Sequence, residues 1–427
     1  MPSVTLSSLI TAPADAISEV LSAAGDMSRC CLRDWLRTVP DPRKRAGRWH
    51  PLEFVLALAV CAFTAAGHDS PAAIAEWSRG CAQGTLALLD GRPDPLTGRI
   101  WPPSEQTFRR ILQKISAAAL NRALYSFLDA VQAEEPQDLP EVIRREREQR
   151  RAASEAAEPG IAGLLPQAAC DGKAVRGAVR PDGSRVHLMS AFHAGQKRTL
   201  AQHEVGCKSN EIPELIPVLR EFNVSGMVVT ADALHGQRDA AEKIHAMGGF
   251  YLQFIKGNQP TLAESIAARL TGTDDEFADE SWTEQGKGHG RREKRSIRTA
   301  PASGIDWPAA EQVMRIRRDS GTTHGPWKHR EFALAITNLP ADLAGPRQLA
   351  AYARQHWSTE NSQHYVRDVT FREDAQKTRT GNQPNALAAI RNLVIGAFRK
   401  KGHANIAAGR RYYGRDDRRT LELYGYA

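Results

Sequence analysis

The chain predicts a mixed α/β core interrupted by a β-rich insertion and preceded by a helical N-terminal domain. Three observations carry that expectation. Helical patterning dominates residues 1–137. Strand signals then cluster from Gln167 to Lys256 in the order strand, strand, strand, helix, strand, helix, strand. Between about 278 and 340 β-type alternation returns, and two helices close the pattern by residue 400.

In the N-terminal part the most apolar run, Phe54 to Ala66, is 13 residues long. That is short of the ~18 that signal a membrane span, so it reads as a core helix. A second helix starts at Ser70-Pro71, a serine cap followed by proline in the first turn. A third is expected from Pro103 to Leu112 and a fourth from Asn121 to Ala133. Short helices with Arg109 and Arg110 fit a helix-turn-helix-like DNA-binding unit, and fit equally a small bundle with a solvated basic face. Residues 138–166, with Arg144, Arg145, Arg147, Arg150 and Arg151, read as a charged linker.

The next unit is expected over residues 167–400. Strands are predicted at Gln167 to Asp171, Val186 to His193, Thr199 to Val205, Val228 to Asp232 and Phe250 to Lys256, with helices at Glu211 to Phe222 and Arg238 to Met247. An antiparallel meander feeding parallel crossovers is the order of an RNase H-like core. In the insertion, turns are expected at Gly286 to Gly290 and at Asp319-Ser320-Gly321. A helix from about Pro346 carries Glu360. A last one from Pro384 shows Leu387, Ile390, Val394, Ala397 and Phe398 on one side. Residues 401–427 read as a basic tail.

Composition narrows the class. With 41% hydrophobic and 25% charged residues the chain is that of a folded, non-membrane protein. A balance of 57 Lys+Arg against 49 Asp+Glu suits a polyanionic partner without requiring one. Six cysteines show no CxxC pair and no zinc spacing, which points to reduced, mostly buried thiols of a cytoplasmic protein. The first residues lack the basic and apolar regions of a signal peptide.

Three acids stand out. Asp232 ends the apolar run Met227-Val228-Val229-Thr230-Ala231, Asp171 ends the first strand, and Glu360 sits in His356-Trp357-Ser358-Thr359-Glu360. A lone strand-end aspartate more often caps a turn. The conjunction argues otherwise, because the first and fourth strands are neighbours in an RNase H-like sheet and their ends converge. Two cations about 3.5–4 Å apart assist phosphodiester cleavage by activating the nucleophile and stabilising the leaving group. Magnesium prefers oxygen ligands, so carboxylates are the natural contribution. Around Glu360, helical spacing brings His356, Trp357, His364 and Arg367 to its face, read either as phosphate contacts or as a solvated face with Trp357 packed inward. Lys173, Arg176, Lys256, Arg291 and Arg292 are further candidates for phosphate contact, with plain surface charge as the alternative.

Taken together, Cys170-Asp-Gly-Lys-Ala-Val-Arg-Gly177, Thr230-Ala-Asp-Ala-Leu-His235, Phe254-Ile-Lys-Gly-Asn-Gln259, His289-Gly-Arg291 with Glu293 and Arg295, His356-Trp-Ser-Thr-Glu-Asn361, and Asp368-Val-Thr-Phe-Arg-Glu-Asp374 resemble the ISAs1 family of bacterial insertion-sequence transposases, relatives of the IS4 group. Asp41-Pro-Arg43 and Pro103-Ser-Glu-Gln-Thr-Phe-Arg-Arg110 extend the resemblance into the N-terminal part. It implies a DDE transposase with Asp171, Asp232 and Glu360 as catalytic, metal-binding acids. The implied cofactor is two Mg²⁺ ions, with Mn²⁺ as a substitute. The implied partners are double-stranded DNA, as terminal inverted repeats and target, and a second copy of the chain in a dimer or higher multimer at the nucleoid. An RNase H-like nuclease without strand transfer, or a catalytically silent DNA-binding derivative, are the rivals. The broader IS4 pattern carries Tyr, Arg, Glu, Lys and Lys on the last helix, where this chain has Ala353, His356, Glu360, His364 and Arg367.

Overall fold

A computed structural model describes residues 31–133, 164–206, 211–273, 275–288, 290–323 and 325–426. All but the last three residues of the expected linker lie outside that set, as do Cys30, Cys207 and His289. The first helices are α1 (Leu32–Leu36), α2 (Leu52–Thr64), α3 (Pro71–Gly80), α4 (Gln83–Leu88), α5 (Glu105–Lys114) and α6 (Ala117–Ala133). Ser70 caps α3 by accepting from the Ala73 amide at 3.2 Å, with Pro71 in the first turn. Every residue of α2 except Glu53 is buried, which is why its sequence is apolar on all sides. No described helix is long and apolar enough to cross a membrane. The short α1 and α4 were not expected, each being too brief to show a period.

One nine-stranded sheet follows. Its strands are β1 (Gln167–Val179), β2 (Arg185–His193), β3 (Arg198–Glu204), β4 (Val228–Ala231), β5 (Phe250–Ile255), β6 (Ser281–Gly288), β7 (Arg291–Pro301), β8 (Gln312–Thr322) and β9 (Trp327–Thr337), in spatial order 3-2-1-4-5-9-8-7-6. The first three form an antiparallel meander, and β1, β4 and β5 run parallel, which is the RNase H-like order. Helices α7 (Leu215–Leu219), α8 (Arg238–Ala246) and α9 (Pro260–Arg269) cover one face, where Cys170, Val229, Ala231 and Tyr251 are buried. The other face is covered by α10 (Pro346–Thr359), packed through Leu349, Tyr352 and Ala353 on Val228, Leu252 and Phe254.

The insertion is a continuation of this sheet. Only the end of β9 pairs with β5, from Leu334 to Thr337, so residues 327–333 overhang the C-terminal edge of β5 by roughly 20 Å. Of the turn expected at Gly286 to Gly290, residues 286–288 are the end of β6, with Gly288 opposite Arg291, and Asp319-Ser320-Gly321 lies inside β8 instead of turning. Asp319 is tolerated in a strand because Arg317 at 2.7 Å and Arg330 at 2.9 Å neutralise it.

Two further corrections concern the C-terminal part. Helix α11 (Gln383–Lys400) is buried around its whole circumference up to Phe398, not on one side. It sits between the N-terminal helices and β3, and its polar residues are paired: Asn392 donates to the Gln202 side chain at 2.9 Å, which donates to Asn385 at 2.8 Å. The expected tail forms α12 (Ile406–Tyr413) and α13 (Asp417–Leu423), whose Tyr413, Leu421 and Tyr424 join the core made by α2, α5, α6 and α11. Tyr424 is fully buried and its hydroxyl shares a 2.8 Å hydrogen bond with Thr64. The N-terminal helices therefore share one core with the chain's C-terminal end.

Candidate active site

Parallel pairing puts Cys170 opposite Ala231, so Asp171 and Asp232, the latter just past the end of β4, occupy the next positions on neighbouring chain segments, about 5 Å apart across the sheet. Side chains alternate across the sheet, and Gln167 and Thr230 turn to the α10 side, joined by a 2.9 Å hydrogen bond. Asp171 and Asp232, each an even number of residues further on, share that face.

The helix aligns to them through its own spacing. Positions 352, 356, 360 and 364 recur one turn apart. The Tyr352 carbonyl accepts from Gln167 at 2.9 Å, His356 Nδ1 meets Thr230 Oγ1 at 3.1 Å, and His364 Nδ1 lies 3.6 Å from Asp171 Oδ2. Glu360 stands between those last two anchors. There the helix widens to π geometry, over Glu360–His364 and Val366–Thr370, a distortion often found at functional positions.

The electrostatics match this placement. Burial pushes the Asp171 carboxyl up to about 6; its own Gly172 amide, donating at 2.8 Å, works against the rise, and the charges of Asp232, Glu211 and Glu360 add to it. Burial pulls His364 down to about 3 and His356 to about 4, so both are neutral near pH 7. His364 and Asp171 therefore interact as dipole and carboxylate, not as an ion pair. The donors are oxygens, the chemistry that suits Mg²⁺. Among the described residues no three carboxylate, imidazole or thiol groups close into a metal-ligand set.

A fourth carboxylate was missed. Glu211 precedes α7 and lies 2.9 Å from His187 Nε2 on β2 and 3.7 Å from His235 Nε2, three residues beyond Asp232. Hydrogen bonding to His187 holds its carboxyl down at about 2. Nothing in the local pattern marks Glu211, because its partners come from β2 and from beyond β4.

Several expected phosphate contacts are internal. Arg367 is fully buried and grips Glu373 through two 2.9 Å hydrogen bonds. Lys173 is buried among Asp368 at 2.7 Å, Asp374 at 3.4 Å and Glu373 at 3.9 Å. His356 is buried on Thr230, and His364 is largely covered. Arg367, Lys173 and His356 are taken up by protein partners and the ring of His364 is covered, so these four side chains do not face solvent phosphate. Trp357, by contrast, is 40% exposed while stacked on Phe254 at 5.5 Å. Lys256 is exposed at the same sheet edge as Asp232, and Arg176 is exposed beside Asp374. Arg291 and Arg292 lie on the overhanging part of the insertion, Arg292 over the Trp327 ring at 4.3 Å.

A family description, "Transposase DDE domain", matches residues 166–395, and a second, "DDE_Tnp_1-associated", matches residues 33–128. YbfL of Escherichia coli strain K12 is 30% identical over 53% of this chain and 62% of its own length; the chain thus spans about three fifths of that relative. YncI of Escherichia coli O157:H7, itself named a transposase by inference, is 25% identical over 87% of this chain and 88% of its own. A cryo-EM structure of piggyBac transposase in a synaptic complex with hairpin DNA covers 90% of this chain and 82% of that one, at 11% identity and a TM-score of 0.36, too low to bear on function.

Proposed function

The chain belongs to the transposase DDE domain family, and from that premise we propose that it is a DNA transposase that cleaves the terminal inverted repeats of an insertion sequence and joins the freed 3′ end to target DNA. What supports the reading is the register that sets Asp171 beside Asp232 at one sheet edge, under a helix that meets Thr230 through His356 and approaches Asp171 through His364, with Glu360 midway between those two histidines in sequence. In this reading they are the acids that hold divalent cations, and bound Mg²⁺, or Mn²⁺ in its place, would activate the attacking oxygen and stabilise the leaving one.

The remaining residues have separable tasks. Asp171, at about 6, gives up its proton to become a full ligand near neutral pH. His356 and His364, both neutral, fix the orientation of the Glu360 turn without adding positive charge. Lys256, Arg176 and Arg291 face solvent and grip DNA phosphates, while Arg292, half-buried with its guanidinium donating to the Gly325 carbonyl at 2.5 Å, supports the insertion instead. Trp357 offers an exposed ring beside Glu360. DNA pairing by a dimer or larger multimer is part of the same proposal.

The test is Asp232→Asn. It should abolish Mg²⁺-dependent cleavage of an inverted-repeat duplex while leaving duplex binding largely intact; undiminished cleavage rejects the assignment. Joined products with a target plasmid separate a transposase from a nuclease on the same fold.

A further inference from the structure

We propose that Glu211 is a positioning residue for both strand-end aspartates, reaching Asp232 through His235 and Asp171 through the backbone of Gly172. This rests on the reading above, in which those aspartates hold divalent cations.

Three contacts carry it. First, the Glu211 carboxylate lies against the Cα of Gly172. A Cβ added at Gly172 would fall inside the van der Waals envelope of all three carboxylate atoms, so any side chain there displaces the Glu211 carboxylate. The amide of that same Gly172 donates to the Asp171 carboxylate at 2.8 Å. Pressure of Glu211 on this residue therefore sets the peptide that orients Asp171. Second, His235 is 1% exposed. What its Nε2 faces is Glu211 at 3.7 Å and Asp232 at 4.0 Å. A buried imidazole aimed between two carboxylates is a spacer that keeps them at a fixed separation. Third, His187 on β2 holds the other Glu211 oxygen at 2.9 Å, so the carboxylate is gripped from both sides and its orientation is fixed. Side chains that orient ligating groups in this manner typically contribute ten- to hundredfold to metal affinity.

The experiment is Mn²⁺ binding by the full chain, read from the electron paramagnetic resonance of free Mn²⁺, alongside the thermal midpoint. Glu211→Gln should weaken Mn²⁺ binding roughly tenfold or more with the midpoint little changed. Gly172→Ala attacks the same contact from the other side, displacing a flexible side chain without removing it, and should reproduce the loss even if Glu211→Gln folds poorly. Glu211→Gln with His235→Gln should cost less than the product of the two single losses, since both break one line of contact. Binding within twofold of the parent in both Glu211→Gln and Gly172→Ala, while Asp171→Asn and Glu360→Gln lose it, overturns this inference and spares the metal reading. Complete loss in Glu211→Gln, equal to that in Asp171→Asn, overturns it by making Glu211 a ligand. Unchanged binding in Asp171→Asn removes the reading on which it stands.

Discussion

Glu373→Gln probes the ion cluster that joins the strand of Asp171 to the helix of Glu360. Glu373 is 1% exposed and accepts two 2.9 Å bonds from Arg367 and a 2.8 Å bond from Arg391, both arginines being fully buried as well. The glutamine variant keeps an acceptor but leaves two guanidiniums without a counter-charge in a dry environment. Removing one partner from such a buried set costs about 3–5 kcal/mol. The acid's own titration leads to a similar figure. Burial works to raise the Glu373 carboxyl, but the charges of Arg367 and Arg391 prevail and hold it down at about 2. Against an ordinary value near 4.3, that depression is worth about 3 kcal/mol. The sign follows from the direction. A depressed carboxyl contributes stability that is present above about pH 4.3 and is lost as pH falls toward 2. Urea unfolding at pH 7 should show a loss of about 3 kcal/mol, and the variant should lack that part of the parent's acid sensitivity between roughly pH 4 and 2. A loss under 1 kcal/mol, or an unchanged acid limb, would refute the claim that this cluster anchors the segment after Glu360.

Three other outcomes follow from the same geometry. Lys256→Ala should weaken duplex binding evenly across sequences and lower the salt slope by about 1 without moving the thermal midpoint, whereas Lys173→Ala should lower the midpoint and leave the slope alone; titrations at several salt concentrations, paired with melting curves, distinguish them. Because Asp171 is held up at about 6, cation binding must displace its proton below that pH, so Mn²⁺ affinity should drop by up to about tenfold per pH unit from pH 6 to 5. For stability the sign is opposite to that of Glu373. The raised carboxyl penalises the cation-free fold above its unfolded value, fully so above about pH 6, and Asp171→Asn should gain about 2 kcal/mol at pH 7, allowing for partial exposure.

Much of this molecule was written into local pattern. The five strands of the core, the serine cap of α3 and the helix bearing Glu360 depend on alternation, capping and helical spacing, which act over a few residues. The parallel register of β1 and β4, with Cys170 opposite Ala231, then places Asp171 beside Asp232. Other features were decided only by tertiary packing. Arg367, Lys173 and His356 look like phosphate ligands in one dimension because a charge or an imidazole on a helix face, or just past a strand-end acid, is read as solvent-facing. Their partners, Glu373, Asp368 and Thr230, come from other elements and reverse that reading. The same holds for α11, whose polar residues suggest a wet side until Gln202 and Glu373 are seen to satisfy them. Residues 401–426 appear as a basic tail in composition, yet Tyr424 and its neighbours fill a gap beside α2 that only the closed fold creates. Glu211 shows the limit most clearly: its place against Gly172, between His187 and His235, is a property of three segments brought together, and a carboxylate's partners across a sheet leave no trace in its own neighbourhood along the chain.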